Sequence, residues 1–175
     1  IVPTWHEPPA QARQVIRLDP GLAFGTGTHP TTRMCLRWIA QHPPSGQCVL
    51  DYGCGSGILA IAAALFGAAA VTAVDIDPAA VESARANAQA NGVRLETGLP
   101  DLAHGQYRLV LANILATPLK VLAPLLCAHV AAGGSLVLAG ILERQADELK
   151  AAYASFARLE VADRDDGWIL MTARC

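Results

Sequence analysis

The side chains best placed for chemistry in this chain stand at the ends of apolar runs: Asp51, the turn Gly53-Cys54-Gly55-Ser56-Gly57, Asp75 and Asn113. Residues 48–51 read as a buried strand, and the glycines read as a turn onto the N-terminus of an apolar helix. Residues 71–74 read as the next buried strand, closed by Asp75. A strand, a glycine turn onto a helix and an acid closing the following strand make the skeleton of a nucleoside-cofactor site. The spacing decides which one. Gly53-x-Gly55-x-Gly57 followed by Ile58 does not meet the dinucleotide pattern, and Asp51 beside the turn repels a pyrophosphate. A cation without phosphates suits it better. S-adenosylmethionine carries a sulfonium and an amino group, and its ribose diol needs an acid such as Asp75. Hydrogen bonds from two hydroxyls to that carboxylate are worth about 1.5–3 kcal/mol each.

Asn113 closes a third buried run, Tyr107 to Ala112. An amide there either satisfies loop backbone or acts as a neutral acceptor beside a transferred methyl. Deprotonating a lysine amine at pH 7 costs about 4.6 kcal/mol, and a carboxylate in this place would raise that cost. An amide oxygen orients the free amine without that penalty, so Asn113 is the candidate catalytic residue for an in-line displacement governed by positioning. Other polar groups have duller alternatives. His29 is either a general base or a local hydrogen-bond partner, and Cys54 is a nucleophile or a small buried filler. Phe24 packs its loop or covers the adenosyl group, and Trp5 packs or touches substrate. His6, His42, His104 and His129 read as surface residues, and the acidic turn 163–167 reads as a solvated hairpin.

The elements that must position these residues are legible in order. Residues 1–18 are Pro-rich and read as a linker remnant ending in a short extended piece. Asp19-Pro20-Gly21 is a turn, and a threonine-rich loop then leads to a helix that Thr28 is expected to cap and that stops at Pro43-Pro44. Helices are expected over 57–66, from the Asp77-Pro78 cap to Asn91, from Leu119 to Ala131 after Thr117-Pro118, and from Glu143 to Ala154. Strands are expected near 93–97, 107–113, 135–139, 157–162 and 168–173. Alternating strands and helices give an α/β fold, a doubly wound, mostly parallel seven-stranded sheet with one antiparallel strand, Rossmann-like, with ligands at the strand carboxyl ends.

Composition excludes several classes. The 175 residues suffice for one domain, and 53% apolar with 5% aromatic content fits a layered core of Ala, Val and Leu. Net charge is −2, and residues 1–100 carry 6 basic and 7 acidic side chains against 7 and 8 in the remainder. No basic face is visible, so a direct nucleic-acid partner is not expected. The five cysteines show no metal-ligand spacing, and three or more of them sit in apolar runs that read as buried thiols of a cytoplasmic protein. The longest apolar stretch, broken at Gly67, is too short for a bilayer, and no membrane role is expected.

Four segments together resemble the PrmA family, the bacterial methyltransferases of ribosomal large-subunit protein eleven. They are Gly25-Thr26-Gly27-Thr28-His29-Pro30-Thr31-Thr32, Asp51-Tyr52-Gly53-Cys54-Gly55-Ser56-Gly57-Ile58-Leu59-Ala60, Asp75-Ile76-Asp77-Pro78 and Ala112-Asn113-Ile114-Leu115-Ala116-Thr117-Pro118-Leu119. The resemblance covers nearly the whole chain. It implies a class I S-adenosylmethionine-dependent enzyme that methylates lysine ε-amines and an N-terminal α-amine of a ribosomal protein. It also implies cofactor contacts at Thr32, Gly53, Asp75 and Asn113, with Phe24, Gly25, Thr26 and Gly55 nearby, and no metal. The family carries a small N-terminal domain that grips the ribosomal protein. This chain begins with Ile1 near the expected linker, so residues 19–175 are expected to be the catalytic domain, binding cofactor alone but methylating its natural substrate poorly. Alternatives are a nucleic-acid or small-molecule amine methyltransferase of the same fold, or a module that holds the cofactor without turnover. A dehydrogenase fits poorly on glycine spacing.

Overall fold

The computed structural model describes residues 1–2, 15–18 and 27–175. Seven strands form one sheet: β1 (Cys48–Tyr52), β2 (Ala70–Val74), β3 (Glu96–Gly98), β4 (Tyr107–Asn113), β5 (Val130–Leu142), β6 (Glu160–Asp165) and β7 (Trp168–Arg174). Their order is β3-β2-β1-β4-β5-β7-β6. Neighbours pair in parallel except β7, which runs antiparallel to both β5 and β6. This is the sheet the alternation of elements predicts.

Side chains alternate across the sheet with the period of a strand. Val49, Leu109 and Leu111 join one core with Met34, Ile39 and Ile61, whereas Leu50, Val110 and Ala112 join the other with Leu119, Leu126 and Leu149. The first core lies under α1 (Pro30–Gln41), α2 (Ile58–Leu65) and α3 (Pro78–Ala90). The second lies under α4 (Ala116–Val121), α5 (Ala123–Ala128) and α6 (Ala146–Tyr153). Cover on both faces explains why β1 and β2 read as continuous apolar runs rather than alternating ones. α2 packs against α1, α3 and the sheet, which is why it needs no polar face. Residues 15–18 lie against the end of α3, where Asn91 accepts from Arg17 N–H and donates to its carbonyl, both at 2.7 Å.

Several local expectations are corrected. The cap of α1 is His29, whose ring nitrogen accepts from Thr31 N–H, and not Thr28. The helix expected over 119–131 starts earlier and is split into α4 and α5. Pro124 has no N–H to give and crowds the preceding turn, and the chain turns into β5 at Val130. β5 is far longer than 135–139. The hairpin turn shrinks to Asp166-Gly167, with φ of 50° and 77°, the primed turn that matches strand twist. That hairpin is not merely solvated: Asp165 accepts a forked pair of bonds from Arg33, and Asp163 pairs with Arg37 at 2.8 Å, tying β6 to α1. Cys35 and Cys54 are buried, Cys127 is half-buried, and Cys48 and Cys175 are exposed, so the expectation of mainly buried thiols holds for only part of the set. His42 stacks on Trp38 and His129 bonds Gly105 O, so neither is without a partner. Among the described residues no helix is long and apolar enough to cross a membrane. Trp5 and His6 lie outside the described residues.

Candidate active site

β1 has β2 on one side and β4 on the other, and the chain leaves their carboxyl ends in opposite directions. The crevice opens at that point, as physical topology requires of a doubly wound sheet. Thr32, Gly53, Gly55, Asp75 and Asn113 line a single cavity of about 540 Å³ there. Phe24, Gly25 and Thr26 lie outside the described residues.

The glycine turn is anchored by backbone. Gly53 N–H and Cys54 N–H both donate to Val74 O, at 2.8 and 3.0 Å, so the tip of β1 is welded to the tip of β2. Gly53 has φ +78°, and a Cβ there would strike the Ile114 side chain. Asp75 is left free of helix capping only if Asp77 caps α3. Asp77 does cap it, accepting from Ala79 N–H at 2.9 Å. Asp75, however, already accepts from Gly55 N–H at 2.9 Å and Asp77 N–H at 3.0 Å. One bond per oxygen leaves a lone pair on each for further donors. The acid therefore shapes the turn and still faces the cavity.

Two buried oxygens at this cavity have no partner among the described residues, Asp51 Oδ1 and Asn113 Oδ1. The other oxygen of Asp51 accepts from Ala60 N–H at 3.0 Å. Burial raises the Asp51 carboxyl to about 7, opposed by that bond and helped by the nearby Asp75 charge. Asn113 Nδ2 points to Thr32 Oγ1 at 3.4 Å, which leaves its oxygen as the side without a partner. An unpaired carboxylate oxygen and an unpaired amide oxygen form an acceptor-rich wall suited to a cationic ligand and an N–H donor.

The remaining groups are less chemical. His29 Nδ1 lies 2.8 Å from Thr31 Oγ1 and 3.3 Å from Thr31 N, so this nitrogen serves the local turn at the start of α1. The ring meets Trp168 edge-on, with centroids 4.9 Å apart. Burial pushes the Cys54 thiol well up, with Asp51 and Asp75 adding to it, so it is a filler and no nucleophile. Sequence reasoning missed Trp168 and Gly140, both on the cavity wall. Gly140 has φ +86°, and any Cβ on it would collide with the Ile114 carbonyl. It lets β5 pass under the loop that presents Asn113, and only the pairing of β4 with β5 reveals that.

The sheet order, the glycine turn and the acid at the tip of β2 define the class I S-adenosylmethionine-dependent methyltransferase fold. The same fold is seen, at 18% identity and TM-score 0.73 over 87% of this chain and 45% of the other, in the T. thermophilus 16S rRNA N2 G1207 methyltransferase in complex with AdoMet and guanosine. More particularly, the chain belongs to the ribosomal protein L11 methyltransferase (PrmA) family, whose model matches residues 1–175. The ribosomal protein L11 methyltransferase of Polaromonas sp. (strain JS666 / ATCC BAA-500) is 74% identical over 177 residues, which cover 99% of this chain. This chain spans 59% of that relative's length. The crystal structure of a ribosomal protein L11 methylase from Lactobacillus delbrueckii subsp. bulgaricus matches with TM-score 0.87 and 34% identity, over 98% of this chain and 92% of that one.

Proposed function

We propose that this chain is the catalytic unit of an S-adenosylmethionine-dependent protein N-methyltransferase. Its substrates are the lysine side-chain and N-terminal amines of the ribosomal protein L11. The observation that carries this is Asn113 Oδ1, buried at the cavity wall without a partner while its Nδ2 is held toward Thr32. S-adenosylmethionine, when bound, supplies an electrophilic methyl group on a sulfonium. Thr32, Gly53, Gly55, Asp75 and Asn113 would hold it, with Phe24, Gly25 and Thr26 added from the preceding loop. Asp51 Oδ1 offers its charge to a cation, and Asp75 offers its remaining lone pairs to hydroxyls. Asn113 accepts an N–H of the incoming amine and turns its lone pair toward the reacting carbon. Being uncharged, the amide adds nothing to the cost of about 4.6 kcal/mol for removing the amine's proton at pH 7. The family's shared name supports the ribosomal substrate. Residues 1–18 act in this proposal as linker to a domain that grips it.

Two measurements test the proposal. Calorimetric titration of the chain with S-adenosylhomocysteine is expected to show binding, and its absence would overturn the assignment. Methylation of purified L11, read by mass spectrometry, is expected to be slow with this chain and fast once a relative's N-terminal domain is appended. Full-rate methylation by the chain alone would remove the need for that domain.

A further inference from the structure

A second cavity, of about 530 Å³, lies at the opposite end of the sheet, lined by Trp38, His42, Arg108, Ser135, Arg158 and Arg174 among others. The fold builds it from distant pieces. Arg108 is the second residue of β4, Arg174 the last of β7, and Arg158 just precedes β6, while Trp38 and His42 end α1. Three guanidinium groups face one carboxylate in its lining, that of Glu160, which is 3.4 Å from Arg158 and largely exposed. Arg108 is anchored through a 2.7 Å bond to Ala132 O. No acidic side chain among the described residues pairs with Arg108 or Arg174, whereas Arg33, Arg37, Arg85, Lys120, Lys150 and Arg164 all have carboxylate partners. Two arginines without a carboxylate partner among the described residues, Arg108 and Arg174, therefore share this cleft with Arg158, which Glu160 pairs.

The floor carries a second feature. Trp38 and His42 are stacked, with ring centroids 4.5 Å apart and planes 20° from parallel. His42 Nδ1 lies 3.0 Å from Trp38 O, which holds the imidazole in the stack. A flat ring pair offers a surface for another planar ring, and guanidinium groups fork onto phosphate oxygens. An acidic peptide would use the arginines but gain nothing from the rings.

The geometry points to a second binding site, in which a single-stranded nucleic-acid segment sets its phosphates on Arg108, Arg158 and Arg174 and a base against the Trp38–His42 stack. It does not depend on the methyl-transfer chemistry, because the cofactor crevice is at the other end of the strands. Sequence gave no warning of it. The three arginines are 50 and 16 residues apart and share one cleft only once β5 joins β4 to the β7–β6 hairpin.

The test is fluorescence anisotropy of a labelled single-stranded 12-nucleotide RNA with the 175-residue chain between 50 and 200 mM salt. Three phosphate contacts predict a log–log salt slope of about −2. Arg158→Gln and Arg174→Gln, both at exposed side chains, are each expected to weaken binding and to reduce the slope by about 0.7. His42→Ala is expected to weaken binding about tenfold with the slope unchanged. S-adenosylhomocysteine affinity is expected to stay constant in all three variants, which shows that they are folded. A deoxyribonucleotide of equal length is expected to bind as well. The proposal is overturned if the RNA does not bind at 50 mM salt, or if the arginine variants bind it as the parent does. It is also overturned if polyglutamate of equal charge displaces the RNA as effectively as unlabelled RNA does, since the site would then fit an acidic protein.

Discussion

Asp51→Asn separates what the fold tolerates from what the ligand needs. Asp51 is 1% exposed, with one oxygen on Ala60 N–H and the other unpartnered, and burial raises its carboxyl from 3.8 to about 7. Between those values the folded protein holds a proton that the unfolded chain has lost. The group's contribution to stability is therefore full below about pH 4, declines as pH rises toward 7, and is lost above it. The difference amounts to about 3–4 kcal/mol between pH 4 and pH 8. Asparagine keeps the shape and does not titrate. The variant's melting temperature relative to the parent is thus expected to climb with pH, by roughly 6–16 °C over that range at about 2–4 °C per kcal/mol. An amide NH₂ left without an acceptor shifts the whole curve down by about 1–3 kcal/mol but cannot change its slope. Thermal denaturation by circular dichroism at constant ionic strength reads it. Cofactor binding is expected to move the other way. The parent's affinity for S-adenosylmethionine falls below pH 7 as Asp51 protonates, and the variant binds about 10- to 100-fold more weakly at pH 8 with no titration near 7. A flat melting difference across pH, or a variant that binds cofactor as tightly as the parent at pH 8, would refute the assignment of Asp51 as a strained anion facing a cation.

Other outcomes follow from the same geometry. Asp75→Ala is expected to lower S-adenosylhomocysteine affinity by about 2–3 kcal/mol, roughly 30- to 150-fold by calorimetry. Unchanged binding would reduce Asp75 to a turn-shaping acceptor for Gly55 and Asp77. Asn113→Asp is expected to bind cofactor but move the optimum of methyl transfer to higher pH, because a carboxylate holds the amine protonated. An unmoved pH profile would remove the amide from the reaction. Gly140→Ala is expected to lose at least about 2 kcal/mol in urea denaturation, since φ +86° strains an alanine and its methyl meets the Ile114 carbonyl. A near-neutral result would mean that the Asn113 loop shifts freely.

Local sequence rules were sufficient wherever the deciding contacts are near in the chain. The Asp77-Pro78 cap and the apolar pattern of 107–113 rest on neighbours within a few residues, and each stands where its residues place it. Where the deciding contact is distant, pattern reading falls short. The ring of His29, which caps α1 through Thr31 in place of Thr28, also meets Trp168, a residue 139 positions away that no local pattern links to it. The acidic hairpin looked solvated because Arg33 and Arg37 are more than 120 residues from it.

By itself, the order of apolar runs, glycines and acids determined the doubly wound sheet and the three strand tips that form the crevice. Strand burial and turn geometry are local, and crossover handedness leaves few ways to assemble them. Tertiary structure alone decided which oxygens in that crevice lack partners, how Gly140 seats the Asn113 loop, and that three scattered arginines share one cleft. Those properties depend on which groups meet across the sheet, and no spacing along the chain encodes them.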